Sequence, residues 1–108
     1  MTRFICPYLG DEVELSDERE RHIAEHHPDL LPDHKDRLGD TLADPDQVRR
    51  SKRFGNARLF SKWYDDVSKG KYVVVIVVSE AEPHRRHWIV TAYQTSKIPE
   101  GDSEWKRN

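Results

Sequence analysis

With a single cysteine, Cys6, the chain has no internal disulfide, so its 108 residues must be held together by core packing alone. No apolar run approaches the roughly 18 residues that mark a membrane-spanning helix, and no basic-then-apolar leader stands at the start. Internal repeats and low-complexity tracts are also missing, which excludes solenoid and linker-like architectures. A soluble cytoplasmic protein with no membrane contact is the expectation these absences leave. Apolar residues are few for a folded domain: mean hydropathy is −0.92 and charged residues make up 35% of the chain, values that would point to disorder if the apolar residues were spread evenly. They are not spread evenly, and their concentration in a few segments predicts one folded domain over residues 1–108 with frayed ends.

The strongest of those segments is Tyr72 to Val78, β-branched almost throughout and bounded by Gly70 on one side and by polar residues on the other. Such a run reads as a strand buried on both faces. After a polar turn region, Arg86 to Thr95 reads as a second strand, with Trp88, Val90 and Ala92 expected on one face and His87, Ile89, Thr91 and Tyr93 on the other. Earlier in the chain, Leu15-Ser16-Asp17-Glu18 is a helix start: Ser16 caps, Leu15 staples, and two carboxylates sit where the helix dipole favours them. That helix should run to about His27, because Pro28 disfavours helix at the residue before it. A second helix restarts at Leu31-Pro32-Asp33, is held by Leu31, Leu38 and Leu42, is weakened by Gly39, and ends before Asp44-Pro45-Asp46.

Arg3 to Leu9 is at best a short edge strand around Pro7. Val48 to Arg53 is a basic segment with strand character, the turn signal Gly55-Asn56 follows it, and Arg58 to Tyr64 is the next strand. The tail from Ile98 onward shows no periodicity. Two helices followed by about four strands with short connections predict an α+β fold, two N-terminal helices packed on a curved four-stranded antiparallel sheet, with one sheet face left free to bind.

Charge is divided along the chain. Met1 to Gln47 holds five Lys/Arg against thirteen Asp/Glu, whereas Val48 to Asn108 holds thirteen against seven. A basic second half offers attraction for a phosphate backbone, which makes Arg49, Arg50, Lys52, Arg53, Arg58 and Lys71 candidate nucleic-acid contacts. Mutual neutralisation of the two halves across their packing interface is the alternative.

His22-Ile-Ala-Glu25-His26 matches the H-x-x-E-H pattern, in which two histidines one helical turn apart bind zinc and the glutamate activates water. A zinc peptidase also needs a third protein ligand and a long cleft, for which this chain is too short, so no metal and no other cofactor is expected. Metal-free RNA cleavage asks for less: a base for the 2′-OH, an acid for the leaving oxygen, and donors for the phosphoryl oxygens. His22, His27, Lys62, Thr91 and Tyr93 supply those groups if the fold brings them together. Each also has an ordinary structural reading, His27 as a core histidine and Tyr93 as packing.

The order Ser-Asp-Glu-Arg-x-x-His22-Ile, His27-Pro28-Asp29, Leu42-x-x-Pro45-Asp46, Gly70-Lys71-Tyr72-Val-Val-Val and Ile89-Val90-Thr91-Ala92-Tyr93-x-Thr95 resembles the phage-associated barnase, EndoU, colicin and RelE-like nuclease domains. The resemblance spans Leu15 to Trp105. It implies a helix pair on a curved four-stranded antiparallel sheet, metal-independent cleavage of RNA, and a toxin or phage-derived origin in which a neutralising antitoxin or immunity-type protein is a partner. It also implies a site drawn from a helix histidine (His22 or His27), a basic residue in the sheet (Lys62 or a nearby Arg) and the last-strand hydroxyls Thr91 and Tyr93. A catalytically inactive RNA- or protein-binding module on the same scaffold is the second reading.

Overall fold

In the computed structural model, which describes residues 1–107, the apolar run Tyr72–Val78 lies within a long central strand of a single sheet. In chain order the elements are β1 (Thr2–Cys6), β2 (Asp11–Leu15), α1 (Asp17–His26), α2 (Lys35–Ala43), β3 (Gln47–Arg50), β4 (Ala57–Tyr64), β5 (Lys71–Glu80), β6 (Arg86–Thr95) and β7 (Asp102–Lys106). Both helices cover one face of the sheet. Ile23 of α1 and Leu38 and Leu42 of α2 join Phe60, Val73, Val75, Val77, Ile89 and Ala92 in one fully buried cluster.

The α+β layering agrees with expectation, but the four-stranded antiparallel sheet does not. The sheet has seven strands in the order β1-β2-β6-β5-β4-β3-β7, and it is mixed, because β2 lies parallel to β6 at the Glu14–Trp88 pair. Sequence reading missed β2 although its signal is present: Glu12-Val13-Glu14-Leu15 alternates, and Val13 and Leu15 are fully buried while Glu12 and Glu14 face outward. By contrast β7 is exposed along its length and gives no such pattern. It is recruited by backbone pairing to β3.

The sheet curls until its two ends meet. Tyr8, in the turn between β1 and β2, packs edge-on against Phe60 at 5.9 Å, lies 6.3 Å from the Trp105 ring, and donates its hydroxyl hydrogen to Glu104 Oε1 at 2.8 Å. The helix-covered face thus becomes an interior. The other face is open at Trp63 but buried at Ala57, Leu59, Ser61 and Val74.

Local chemistry accounts for the helices. Ser16 Oγ accepts from the Arg19 amide at 3.1 Å, and Asp17, Glu18 and Glu20 complement the dipole of the first turn of α1. The His27 amide donates to Ile23 O at 2.7 Å and Pro28 ends the helix. In α2, Gly39 has a packing reason: a Cβ there would lie 3.0 Å from the Phe4 ring, so the glycine lets β1 approach the helix.

A register shift in β6 decides which side chains reach which face. Ile76 pairs with Thr91 and Val77 with Ile89, so Val90 is an extra residue and the alternation changes phase there. His87 and Ile89 consequently share the interior with Ala92, while Trp88, Thr91 and Tyr93 share the open face. The expected grouping of His87 and Ile89 with Thr91 and Tyr93 assumed an unbroken alternation and is corrected by this bulge.

The two charge halves meet in several ion pairs. Lys62 and Arg107 contact Asp44 and Asp46, Arg85 lies 3.6 Å from Asp11, and Arg86 lies 3.4 Å from Glu14. These pairs favour the neutralising alternative.

Candidate functional site at the junction of the first helix and the sixth strand

Thr91 and Tyr93 stand two residues apart on β6 and project from the open face beside Ile76 and Val74 of β5. Along the C-terminal half of β6 runs α1, anchored by the fully buried Ile23. The chain then turns at His27, whose carbonyl accepts from the amides of Leu30 at 3.0 Å and Leu31 at 3.2 Å. Leu30 and Leu31 are buried, and Gln94 Nε2 donates to Asp29 Oδ2, so the turn is tied to both core and strand. The result is that the His27 and Tyr93 rings lie with centroids 6.1 Å apart and tilted by 38°. Both side chains are half-buried. Among the described residues neither the Tyr93 hydroxyl nor a ring nitrogen of His27 has a hydrogen-bond partner within the protein.

Burial pushes the Tyr93 phenol above its ordinary value of 10, which keeps it protonated and able to donate at neutral pH. A cation that sequence reading missed also reaches β6, about 12 Å along the helix axis from His27: Arg19 of α1 donates from Nη1 to Val90 O at 3.5 Å. Its spacing of four from Ile23 put it on the same helical face, and that was the available signal.

The other candidates are placed elsewhere. His22 is exposed on α1 and its ring stacks on His26 at 4.2 Å. His26 Nδ1 lies 3.0 Å from His22 O, and among the described residues no three His, Cys, Asp or Glu side chains converge as metal ligands, so the H-x-x-E-H pattern finds no third protein ligand. Lys62 lies on the interior face opposite Val73, where Nζ donates to Asp44 O at 2.9 Å. Strand alternation therefore separates it from Thr91 and Tyr93. Lys71 is also on that interior face, opposite Tyr64.

The arginines divide similarly. Arg49 is on the open face, donating to Gln47 Oε1 and to Gly101 O, both at 3.0 Å. Lys52 and Arg53 are exposed in the loop between β3 and β4, and the Arg53 guanidinium lies 5.6 Å from the centre of the Phe54 ring. Arg50 and Arg58 point to the interior side, and both are held by Glu104 at 2.7 Å.

Around Thr91 and Tyr93 the open face is apolar and aromatic. A cavity of about 490 Å³ adjoins Thr91, lined by Phe54, Leu59, Ile76, Val78 and Val90 among others. Trp63 and Tyr72 meet edge to face at 5.0 Å on neighbouring strands, and Arg86 lies over Trp88 at 4.8 Å. Flat rings on an open sheet are a surface on which unstacked nucleobases can lie.

No protein-family model matches the chain, and comparisons with curated proteins and with solved structures find no match. No helix among the described residues is long and apolar enough to cross a membrane.

Proposed function

We propose that the chain is a small metal-independent endoribonuclease-like domain that cleaves single-stranded RNA at the junction of α1 and β6. The single observation that carries this reading is the approach of His27 to Tyr93, two groups from opposite ends of the chain whose polar atoms are left without protein partners. In the reaction His27 takes the proton of the 2′-OH, the 2′-oxygen bonds to phosphorus, and the bond from phosphorus to the 5′-oxygen breaks. The leaving 5′-oxygen takes its proton from the Tyr93 hydroxyl, and the phenolate regains one from the imidazolium through solvent. Thr91 donates to a non-bridging oxygen, where negative charge accumulates. The products are a 2′,3′-cyclic phosphate and a 5′-hydroxyl. DNA lacks the attacking group. With RNA as substrate the cytoplasm is the compartment of action, and a toxin-like role calls for a neutralising protein partner.

The test is cleavage of a single-stranded RNA in EDTA, with analysis of the ends. The expected result is cyclic-phosphate ends and a loss of roughly 100-fold or more in folded His27→Ala and Tyr93→Phe variants. A requirement for a divalent metal, or full activity in both variants, overturns the mechanism. The exposed Trp63 and Phe54 favour a second reading, RNA binding without chemistry on the same face, which salt-sensitive binding with no turnover would support.

A further inference from the structure

On the interior side, at the opposite end of β6 from Thr95, a recess of about 400 Å³ is lined by Arg50, Arg58, Arg85, Ser79 and His87, with Glu80 also at its wall. None of these groups takes part in the reaction proposed above. Glu104 grips Arg50 and Arg58 by their Nε atoms, each at 2.7 Å, and Arg50 Nη1 donates to Gly55 O. Among the described residues this leaves both terminal nitrogens of Arg58 and one of Arg50 without partners, on guanidinium groups already fixed in place. Arg85, on the β5–β6 connection, is tied through Nη2 to Leu9 O at 2.6 Å and retains Nη1.

His87 forms a buried part of the wall. It is only 6% exposed, and its Nδ1 lies 2.6 Å from Ser79 Oγ. Burial pushes the imidazole below its ordinary 6.5, although the nearby Asp11 works the other way, so the ring is neutral at pH 7. Its Nε2, a buried atom with no hydrogen-bond partner, lies 3.6 Å from Asp11 Oδ2 and is turned away from solvent. The fixed guanidinium forks of Arg50 and Arg58, with Arg85 beside them, are the donor set for a tetrahedral oxyanion.

The geometry points to a second, separate site here that binds a phosphate monoester. Three guanidinium charges face the carboxylates of Glu104, Asp11 and Glu80, so charge is balanced overall and the oriented N–H forks, not net charge, select the ligand, which disfavours a continuous polyanion. The ligand is therefore a compact terminal phosphate, supplied either free, as inorganic phosphate or a mononucleotide, or at the 5′ end of an RNA.

Calorimetric titration at fixed ionic strength tests this with three probes: inorganic phosphate, an RNA dinucleotide with a 5′-terminal phosphate, and the same dinucleotide without one. Binding of the first shows the free form to be the ligand, and binding of the second alone shows the RNA end to be. Either result supports the site, provided Arg58→Gln and Arg85→Gln weaken it by about tenfold or more, the loss expected for one charge-assisted contact. Arg85 is 64% exposed, so its substitution leaves the fold intact even where Arg58→Gln disturbs Glu104. Equal binding of the dinucleotide lacking the terminal phosphate, no saturable binding of any probe, or undiminished binding in Arg85→Gln overturns the inference. His27→Ala should abolish cleavage and keep phosphate binding, which separates the two sites.

Discussion

Replacing Glu104 by Gln should make the protein less stable at neutral pH and leave it nearly unchanged in acid. Burial alone would raise this carboxyl, but hydrogen bonds from Arg58, Arg50 and Tyr8 outweigh it and hold the group at about 2, against an ordinary 4.5. A depressed carboxylate contributes stability that is fully present above its unfolded value and is lost as pH falls toward the folded one, so the window runs from roughly pH 5 down to 2. At 1.36 kcal/mol per tenfold, that gap sets a ceiling of roughly 3 kcal/mol. Glu104 lies in an edge strand open to water, and screening brings the expected figure to about 1–2 kcal/mol. For a domain of this size that is a fall in Tm of roughly 4–10 °C. Thermal unfolding of the two proteins at pH 7 and near pH 2 measures it. The two should differ at pH 7 and converge at the lower pH. Equal stability at pH 7, or a gap that persists unchanged in acid, would refute the idea that this carboxylate ties β7 and the β1–β2 turn to the interior.

Gly70 has φ +102°, and a Cβ there would lie 2.7 Å from Trp63 Cζ2; Gly70→Ala should therefore cost about 1–3 kcal/mol, read as a lower midpoint in urea. Tyr64 is pushed up to about 12 by burial, against which its hydrogen bond with Thr41 works. Because the unfolded chain releases that proton near 10, stability should fall as pH rises from about 10 to 12, and the near-UV phenolate signal should show one tyrosine ionising only at the top of that range. A Tyr64→Phe variant that is lost over the same alkaline range with the same slope would show that another group is responsible.

How far the residues foretell the fold depends on which force built each part. Elements made by apolar burial were legible: the central strand β5, the strand β6 from Arg86 to Thr95, and α1 from its Ser16 cap all lie where periodicity and capping put them. The second helix starts at Lys35, later than Leu31-Pro32-Asp33 suggested, because Leu30 and Leu31 are spent anchoring the turn that carries His27. The strand made by backbone pairing alone was not legible: the charged β7 exists because β3 offers it an edge. The alternation of Val13 and Leu15 with glutamates made β2 legible, and it was passed over. The site was half legible: Thr91 and Tyr93 share a face by simple alternation, but the extra residue Val90 reverses the phase before them. No local rule marks that bulge. It sends His87 to the interior, where the arginines Arg50 and Arg58 also lie.

The bond from Tyr8 to Glu104 spans a sequence separation of 96 residues. Loop-closure entropy must be met before such a contact gives anything back, so the step that joins the two sheet edges comes late in folding and slows it. Until β7 docks, β3 presents an unpaired row of amides and carbonyls, and Arg50 and Arg58 lack the carboxylate that aligns them. On a growing chain Tyr8 therefore precedes its partner Glu104 by 96 residues, and the Arg50–Arg58 pair gains its carboxylate clamp only once β7 is made.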